Sequence, residues 1–171
     1  HDRIIVDHDI ASTGSSRATL TLDAPGGIVL NHDIGLLGSG SSYKSSDAGV
    51  VINSLNGGLQ GSGSIEANSI SINQGGSTSY DGSLNIMSPI STDAVDPYGS
   101  FAKSGAGKLV LTAPSYSYAP SPTINISGGI LEVNNASFFG SKTLKFSGGI
   151  LGYGETLLSA PPDFSSRFSR S

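Results

Sequence analysis

The sequence predicts an all-β chain wound as a parallel β-helix of roughly seven or eight coils, and three observations carry that reading. Thr123-Ile-Asn-Ile-Ser-Gly-Gly-Ile-Leu131 returns as Thr143-Leu-Lys-Phe-Ser-Gly-Gly-Ile-Leu151, so Ser-Gly-Gly-Ile-Leu recurs after 147 − 127 = 20 residues. Val6-Asp-His-Asp-Ile-Ala11 returns as Leu30-Asn-His-Asp-Ile-Gly35 at an offset of 30 − 6 = 24. Five times, a short strand of alternating apolar residues runs into a pair of glycines. Alternation places every other side chain on one face of a strand, and paired glycines permit a sharp corner. Self-similarity at a period of 20 to 50 residues points to a solenoid, propeller or array. An antiparallel β-sandwich would also use short strands and frequent turns, but it has no reason to repeat the residues around a corner at one-coil spacing.

From the N-terminus, Arg3 to Asp7 reads as a strand, Ala18 to Leu22 alternates, Asp23-Ala-Pro-Gly-Gly27 turns, and Ile28-Val-Leu30 opens the next coil. Residues 38–47 are polar and glycine-rich, an insertion loop. Val50-Val-Ile52 leads to Gly57-Gly58, Ile70-Ser-Ile72 leads to Gly75-Gly76, and Leu84-Asn-Ile86 is a further strand. Residues 88–100, with Pro89 and Pro97, break the rhythm as a second lateral loop or as a boundary between sub-blocks. Regularity returns at Phe101 and continues through the twin repeats. Leu20, Leu22, Val50, Ile52, Ile70, Ile72, Leu109, Leu111, Ile124, Ile126, Leu144 and Phe146 are expected to point inward in ladders, with the Thr, Ser, Asn and Lys between them facing water. Spacings near 15, such as Ile70 to Leu84 and Leu109 to Ile124, link different faces of the rod. Residues 1–158 make one β-helix segment, about 35 Å long at one strand spacing per coil. Residues 159–171 are a tail, disordered or foreign to the domain unless Phe164 and Phe168 tie it down.

Composition narrows the partners. Only 13% of residues are charged and the net charge is −4, which gives neither a nucleic-acid footprint nor a polybasic patch for a membrane surface. The 24 glycines and heavy use of Ser and Asn disfavour helix. Cysteine is absent, so an extracellular protein of this kind relies on a long regular core in place of disulfides. No apolar run reaches a membrane span, and the N-terminus lacks the charged and apolar regions of a signal peptide. The chain is therefore either cytosolic or an excised mature piece, and the abrupt start in a strand favours the excised piece.

Gly105-Ala-Gly-Lys-Leu-Val-Leu-Thr112, preceded by Phe101-Ala-Lys103 and followed by Tyr116-Ser-Tyr118, Thr123-Ile-Asn-Ile126 and Gly129-Ile-Leu-Glu-Val133, resembles the passenger-associated strand repeat of bacterial autotransporters. Asp9-Ile-Ala-Ser-Thr-Gly14, Leu20-Thr-Leu22, Gly26-Gly-Ile-Val-Leu-Asn31 and Asp33-Ile34 are similar to the repeats of filamentous-haemagglutinin-like exoproteins. The resemblance implies a right-handed parallel β-helix exported through the outer membrane of a Gram-negative bacterium, displayed or released there as an adhesin or as the stalk presenting one. The segment itself would not insert in a membrane, and its partners would be surface glycans or proteins. Pro120 and Pro122 stand where the autotransporter repeat has a glycine-rich turn.

Candidate chemistry is sparse. His8-Asp9 and His32-Asp33 would stack one coil apart, either as a two-imidazole metal site or, more ordinarily, as a polar ladder at a corner. Gly105-Ala-Gly-Lys-Leu109 lacks the helix a phosphate loop needs, and the calcium-binding glycine nonapeptide is missing. Asp81, Asp93, Asp96, Glu66, Glu132 and Glu155 are scattered, whereas glycoside hydrolysis needs two converging carboxylates. Tyr43, Tyr80, Tyr98, Tyr116, Tyr118 and Tyr153 fall mostly in loops, where tyrosines on a rigid scaffold can bind sugar or protein. The sequence therefore assigns no catalytic, cofactor-binding or metal residues and no cofactor. It favours a non-enzymatic surface protein, with a polysaccharide lyase or glycosidase as the alternative, and places specific contacts in the insertions 38–47 and 88–100.

Overall fold

The computed structural model describes residues 2–11, 18–35, 47–88, 99–120, 122–135, 142–158 and 162–168. Every strand pairing among them is parallel, and each strand pairs with its counterpart one coil away. Coil 1 carries β1 (Ile4–Val6), β2 (Ile10–Ala11) and β3 (Thr19–Asp23). Coil 2 carries β4 (Ile28–Leu30), β5 (Ile34–Gly35) and β6 (Gly49–Ser54), and coil 3 carries β7 (Leu59–Gly61), β8 (Ile65–Ala67) and β9 (Ser69–Gln74). Coil 4 carries β10 (Thr78–Tyr80), β11 (Leu84–Ile86) and β12 (Ser100–Ser104). Coils 5 and 6 are β13 (Lys108–Leu111) with β14 (Thr123–Ile126), then β15 (Ile130–Val133) with β16 (Thr143–Phe146). Coil 7 begins with β17 (Ile150–Tyr153) and leaves the strand pattern in a single helical turn, α1 (Glu155–Leu158). The chain is a parallel β-helix solenoid.

The first, second and third strands of successive coils form three faces, A, B and C. Face C is one continuous sheet in the order β3-β6-β9-β12-β14-β16. Its register sets Val50, Ile70, Phe101, Ile124 and Leu144 in one inward ladder, and Leu22, Ile52, Ile72, Lys103 and Ile126 in a second. The apolar members are buried, each contributing about 1.5–3 kcal/mol relative to exposure. Thr21, Val51, Ser71, Ala102, Asn125 and Lys145 form the intervening ladder on the opposite side of the sheet. The twin Ser-Gly-Gly corners are consecutive, as the repeat requires: Thr123 pairs with Thr143 and Ile130 with Ile150. Their backbones differ, because positive φ falls on the second glycine of the first copy (Gly129, +60°) and on the first glycine of the second (Gly148, +146°).

Between faces C and A the glycines form a seam through every coil: Gly26-Gly27, Gly57-Gly58, Gly75-Gly76, Gly105-Ala-Gly107, Gly128-Gly129 and Gly148-Gly149. Close stacking explains their identity. A Cβ at Gly107 would lie 2.0 Å from the carbonyl oxygen of Gly76, and one at Gly75 would lie 1.8 Å from that of Leu55. Backbones one coil apart leave no room for a methyl group there.

Lys103 and Gln74, like the smaller Ser54 beside Gln74, are fully buried where alternation alone would place apolar residues. Lys103 stands in the second ladder between Ile72 and Ile126, contrary to the expectation that lysines face water. Its ammonium turns into the next corner and donates to the carbonyls of Ser104 (2.7 Å), Gly105 (3.3 Å) and Gly107 (3.0 Å). Gln74 follows Ile70 and Ile72 inward on β9. Face A divides into two sheets, β1-β4-β7 and β10-β13-β15-β17, and Gln74 bridges the break. Its Oε1 accepts from Leu59 N–H on β7 (3.3 Å), while its Nε2 donates to the Lys108 carbonyl on β13 (2.9 Å), to Gly76 O (3.0 Å) and to Thr78 Oγ1 (3.2 Å).

Two further expectations need correction. Phe146 is 38% exposed, because β16 is the last strand of face C and no full coil covers it. Tyr80 lies on β10 in the core, where its hydroxyl donates to the Gly63 carbonyl. Residues 162–168, within the expected tail, contact the last coil. Phe164 is buried and stacks on Tyr153 at 6.0 Å, Phe168 makes a parallel bridge to Leu144 and lies 5.6 Å from Phe146, and Arg167 sits 5.0 Å over the Phe164 ring. These are the two phenylalanines the sequence singled out as anchors.

Candidate functional site

The corner between faces B and C differs from the glycine seam in one respect: its length varies. In coil 3 it is a single residue, Asn68, between β8 and β9. That asparagine is buried; its N–H donates to Ala48 O (2.9 Å), its carbonyl accepts from Ser100 N–H (3.1 Å), and its Nδ2 donates to Met87 O (3.3 Å). The coil below and the coil above are thereby locked to it. In coil 2 the same corner is the chain between Gly35 and Gly49, and in coil 4 the chain between Ile86 and Ser100. Equivalent residues are accordingly 31 apart across an inserted coil, as with Asp33 and Ser64, but 19 apart across the short one, as with Ser64 and Ser83. Insertions expected at 38–47 and 88–100 both belong to this edge. Residues 38–46 and 89–98 lie outside the described residues, as do Tyr43, Tyr98, Asp93 and Asp96.

Coil 5 supplies side chains on face B next to this edge. Ile86 N–H donates to Tyr116 O (2.9 Å) and Tyr118 N–H to Ile86 O (2.7 Å), which sets Tyr116-Ser-Tyr118 as a rung beside β11; Ser88 Oγ also donates to Tyr118 O. Alternation then turns both tyrosines outward, 45% and 37% exposed, about 7 Å apart along the strand. Tyr116 N–H is held by Asn85 Oδ1 (3.2 Å), whose Nδ2 donates to Glu66. Two aromatic rings on a rung fixed by backbone bonds offer rigid, amphipathic contact area to a sugar or a protein.

The corner between faces A and B carries the histidines. His8 and His32 stack one coil apart, centroids 6.1 Å and planes 15° from parallel, and His32 Nδ1 is 3.3 Å from Asp9 Oδ1. The carboxylates hold backbone: Asp9 Oδ1 accepts from Asp33 N–H (3.2 Å), Asp33 Oδ1 from Ser64 N–H (2.6 Å), and Ser64 Oγ meets Ser83 Oγ at 3.1 Å. Among the described residues no three His, Asp or Glu side chains converge as a metal would need. The arrangement is a polar ladder that ties coils together.

Other carboxylates have similar partners. Glu132 pairs with Lys108 at 2.6 Å, and Asp81 Oδ1 accepts from Thr112 Oγ1 (2.6 Å). Glu66 is held above the ordinary carboxyl range, first by burial and, against the lowering effect of Asn85, by the nearby Asp33 charge. Gly105-Ala-Gly107 is a corner whose carbonyls receive Lys103, which leaves nothing resembling a phosphate cradle. No described helix is long and apolar enough to cross a membrane. Comparison with protein-family models, with curated proteins and with solved structures finds no match.

Proposed function

We propose that the chain is a non-enzymatic segment of a bacterial exported β-helix, displayed at the cell surface as an adhesin or as the stalk that presents one. The observation that supports this most directly is the division of labour between corners. The glycine seam is sterically committed to stacking, while all large differences in coil length fall at the corner between faces B and C, beside Tyr116 and Tyr118. A rod that stays regular on one edge and varies on another is suited to holding loops in a row. Specific contacts in solenoids concentrate where insertions leave the repeat. The autotransporter-like and haemagglutinin-like repeats supply the export and surface location of this reading, and glycans or proteins of a neighbouring or host cell are its partners.

A polysaccharide-cleaving enzyme is the second reading, and one observation favours it: a Glu66 carboxyl raised by burial with the Asp33 charge near it resembles an acid and carboxylate pair. Both groups already hold neighbouring coils, Asp33 through Ser64 N–H and Glu66 through Asn85. Incubation of the protein with pectins, alginates and host glycans separates the readings. Retention on a surface without cleavage is expected; release of new reducing or unsaturated ends, lost on Glu66→Gln, would replace display with catalysis.

A further inference from the structure

We propose that the outer groove along the glycine seam of coils 1 to 4 is a binding site for a carboxylated saccharide, a hexuronate or a sialic acid unit. The inference deepens the display reading and rests on it. The groove has a volume of about 300 Å³ and crosses three successive corners, at the small end of ligand sites. Its floor is the paired glycines at 26–27 and 57–58, and its rim carries Arg3, Asn56, Gln60, Ser77 and Thr78. The stacking that excludes a Cβ from Gly57, 2.6 Å from Gly26, leaves a strip of bare backbone that a sugar ring can approach closely.

The rim favours one chemistry. Arg3 is exposed, and its Nη2 donates to the neutral amide oxygen of Gln60 at 3.1 Å. A guanidinium has five N–H donors, and its fork matches a carboxylate with two parallel bonds. Among the described residues no carboxylate side chain lines the groove; Asp2 joins the seam through its backbone carbonyl, which accepts from Gly26 N–H (2.8 Å). Ser77 Oγ accepts from Lys108 N–H (3.1 Å) and Thr78 Oγ1 from Gln74 Nε2 (3.2 Å), and in those bonds neither hydroxyl spends its own proton. Asn56 adds a side-chain amide. One cation beside hydroxyl and amide groups suits a singly charged, hydroxyl-rich ring better than a phosphate, which calls for more positive charge.

The test is calorimetric titration of the 171-residue chain with trigalacturonate, with 3′-sialyllactose, and with maltotriose as the uncharged reference. The two acids separate the sources of the carboxylate. Binding of at least one acid is expected, about tenfold or more tighter than maltotriose, with a similar loss on Arg3→Ala, as for one charge-assisted contact. Asn56→Tyr, which narrows the groove without touching the cation, should weaken the same ligand. An unchanged melting curve in Arg3→Ala shows that the fold is intact. Equal affinity for maltotriose, indifference to Arg3→Ala, or no binding of either acid would overturn the groove assignment and leave the display reading in place. Cleavage of trigalacturonate with binding still dependent on Arg3 would support the groove and overturn display.

Discussion

Replacing Gln74 by Leu is expected to lower the stability of the protein by about 2–4 kcal/mol, the cost of leaving one buried and one partly buried backbone group without partners. Leu fills a similar volume, so the loss isolates the hydrogen bonds from packing. Gln74 is buried and serves strands on both sides of the break in face A, through Leu59 N–H and the Lys108 carbonyl. The break is otherwise spanned at its ends, by Asp81 N–H to Gly61 O (2.9 Å) and by the Tyr80 hydroxyl to the Gly63 carbonyl. Urea unfolding measures the loss, and hydrogen exchange locates it. Faster exchange at Leu59 is expected, with face C unaffected; a change below about 0.5 kcal/mol would show that the break is stabilised by other means.

Lys103→Met should cost about 2 kcal/mol near neutral pH. The methionine suits the apolar ladder between Ile72 and Ile126, but the carbonyls of Ser104, Gly105 and Gly107 lose a charged donor. A pH dependence accompanies it. Burial draws the ammonium from 10.5 down to about 8, so between those values the unfolded chain binds more protons than the folded one. Wild-type stability therefore rises with pH across that window relative to the variant, and the gap between the two widens from pH 7.5 to pH 10. Denaturant midpoints for both proteins at four or five pH values test the sign. A gap that narrows would mean the corner holds the charged form more strongly than burial opposes it.

Much of the architecture is legible in the sequence because the solenoid rewards local pattern. Two in-register repeats give the coil length, and the alternation of residues such as Val50, Ile52, Ile70 and Ile72 gives the inward ladders. The glycine pairs give one corner. The buried polar residues are harder to read, since Lys103 and Gln74 are typical surface residues by type. The signal is that both occupy inward positions of an alternating strand, and a glycine follows each within two residues, at a corner whose carbonyls or strands it can reach. Tyr80 was obscured by its short, serine-flanked strand. Alternation misplaces Phe146 because it describes a coil with a full neighbour above it, and the last strand of face C has only the Phe168 bridge there. At the candidate site, Tyr116 and Tyr118 could be named from sequence, but their shared outward direction depends on the pairing with Ile86, which no local pattern encodes.

The central claim is that a structurally committed rod presents its contacts from the corner between faces B and C. Its most direct test is excision of residues 38–46 and 89–98, each replaced by a short glycine-serine link, combined with Tyr116→Ala and Tyr118→Ala, followed by thermal unfolding and by retention on a panel of host-cell and glycan surfaces cleared of uronate and sialic acid, so that the groove on the glycine seam does not contribute. The account predicts unfolding close to that of the parent together with loss of retention. Retention equal to the parent's, in a protein that remains folded, would contradict it.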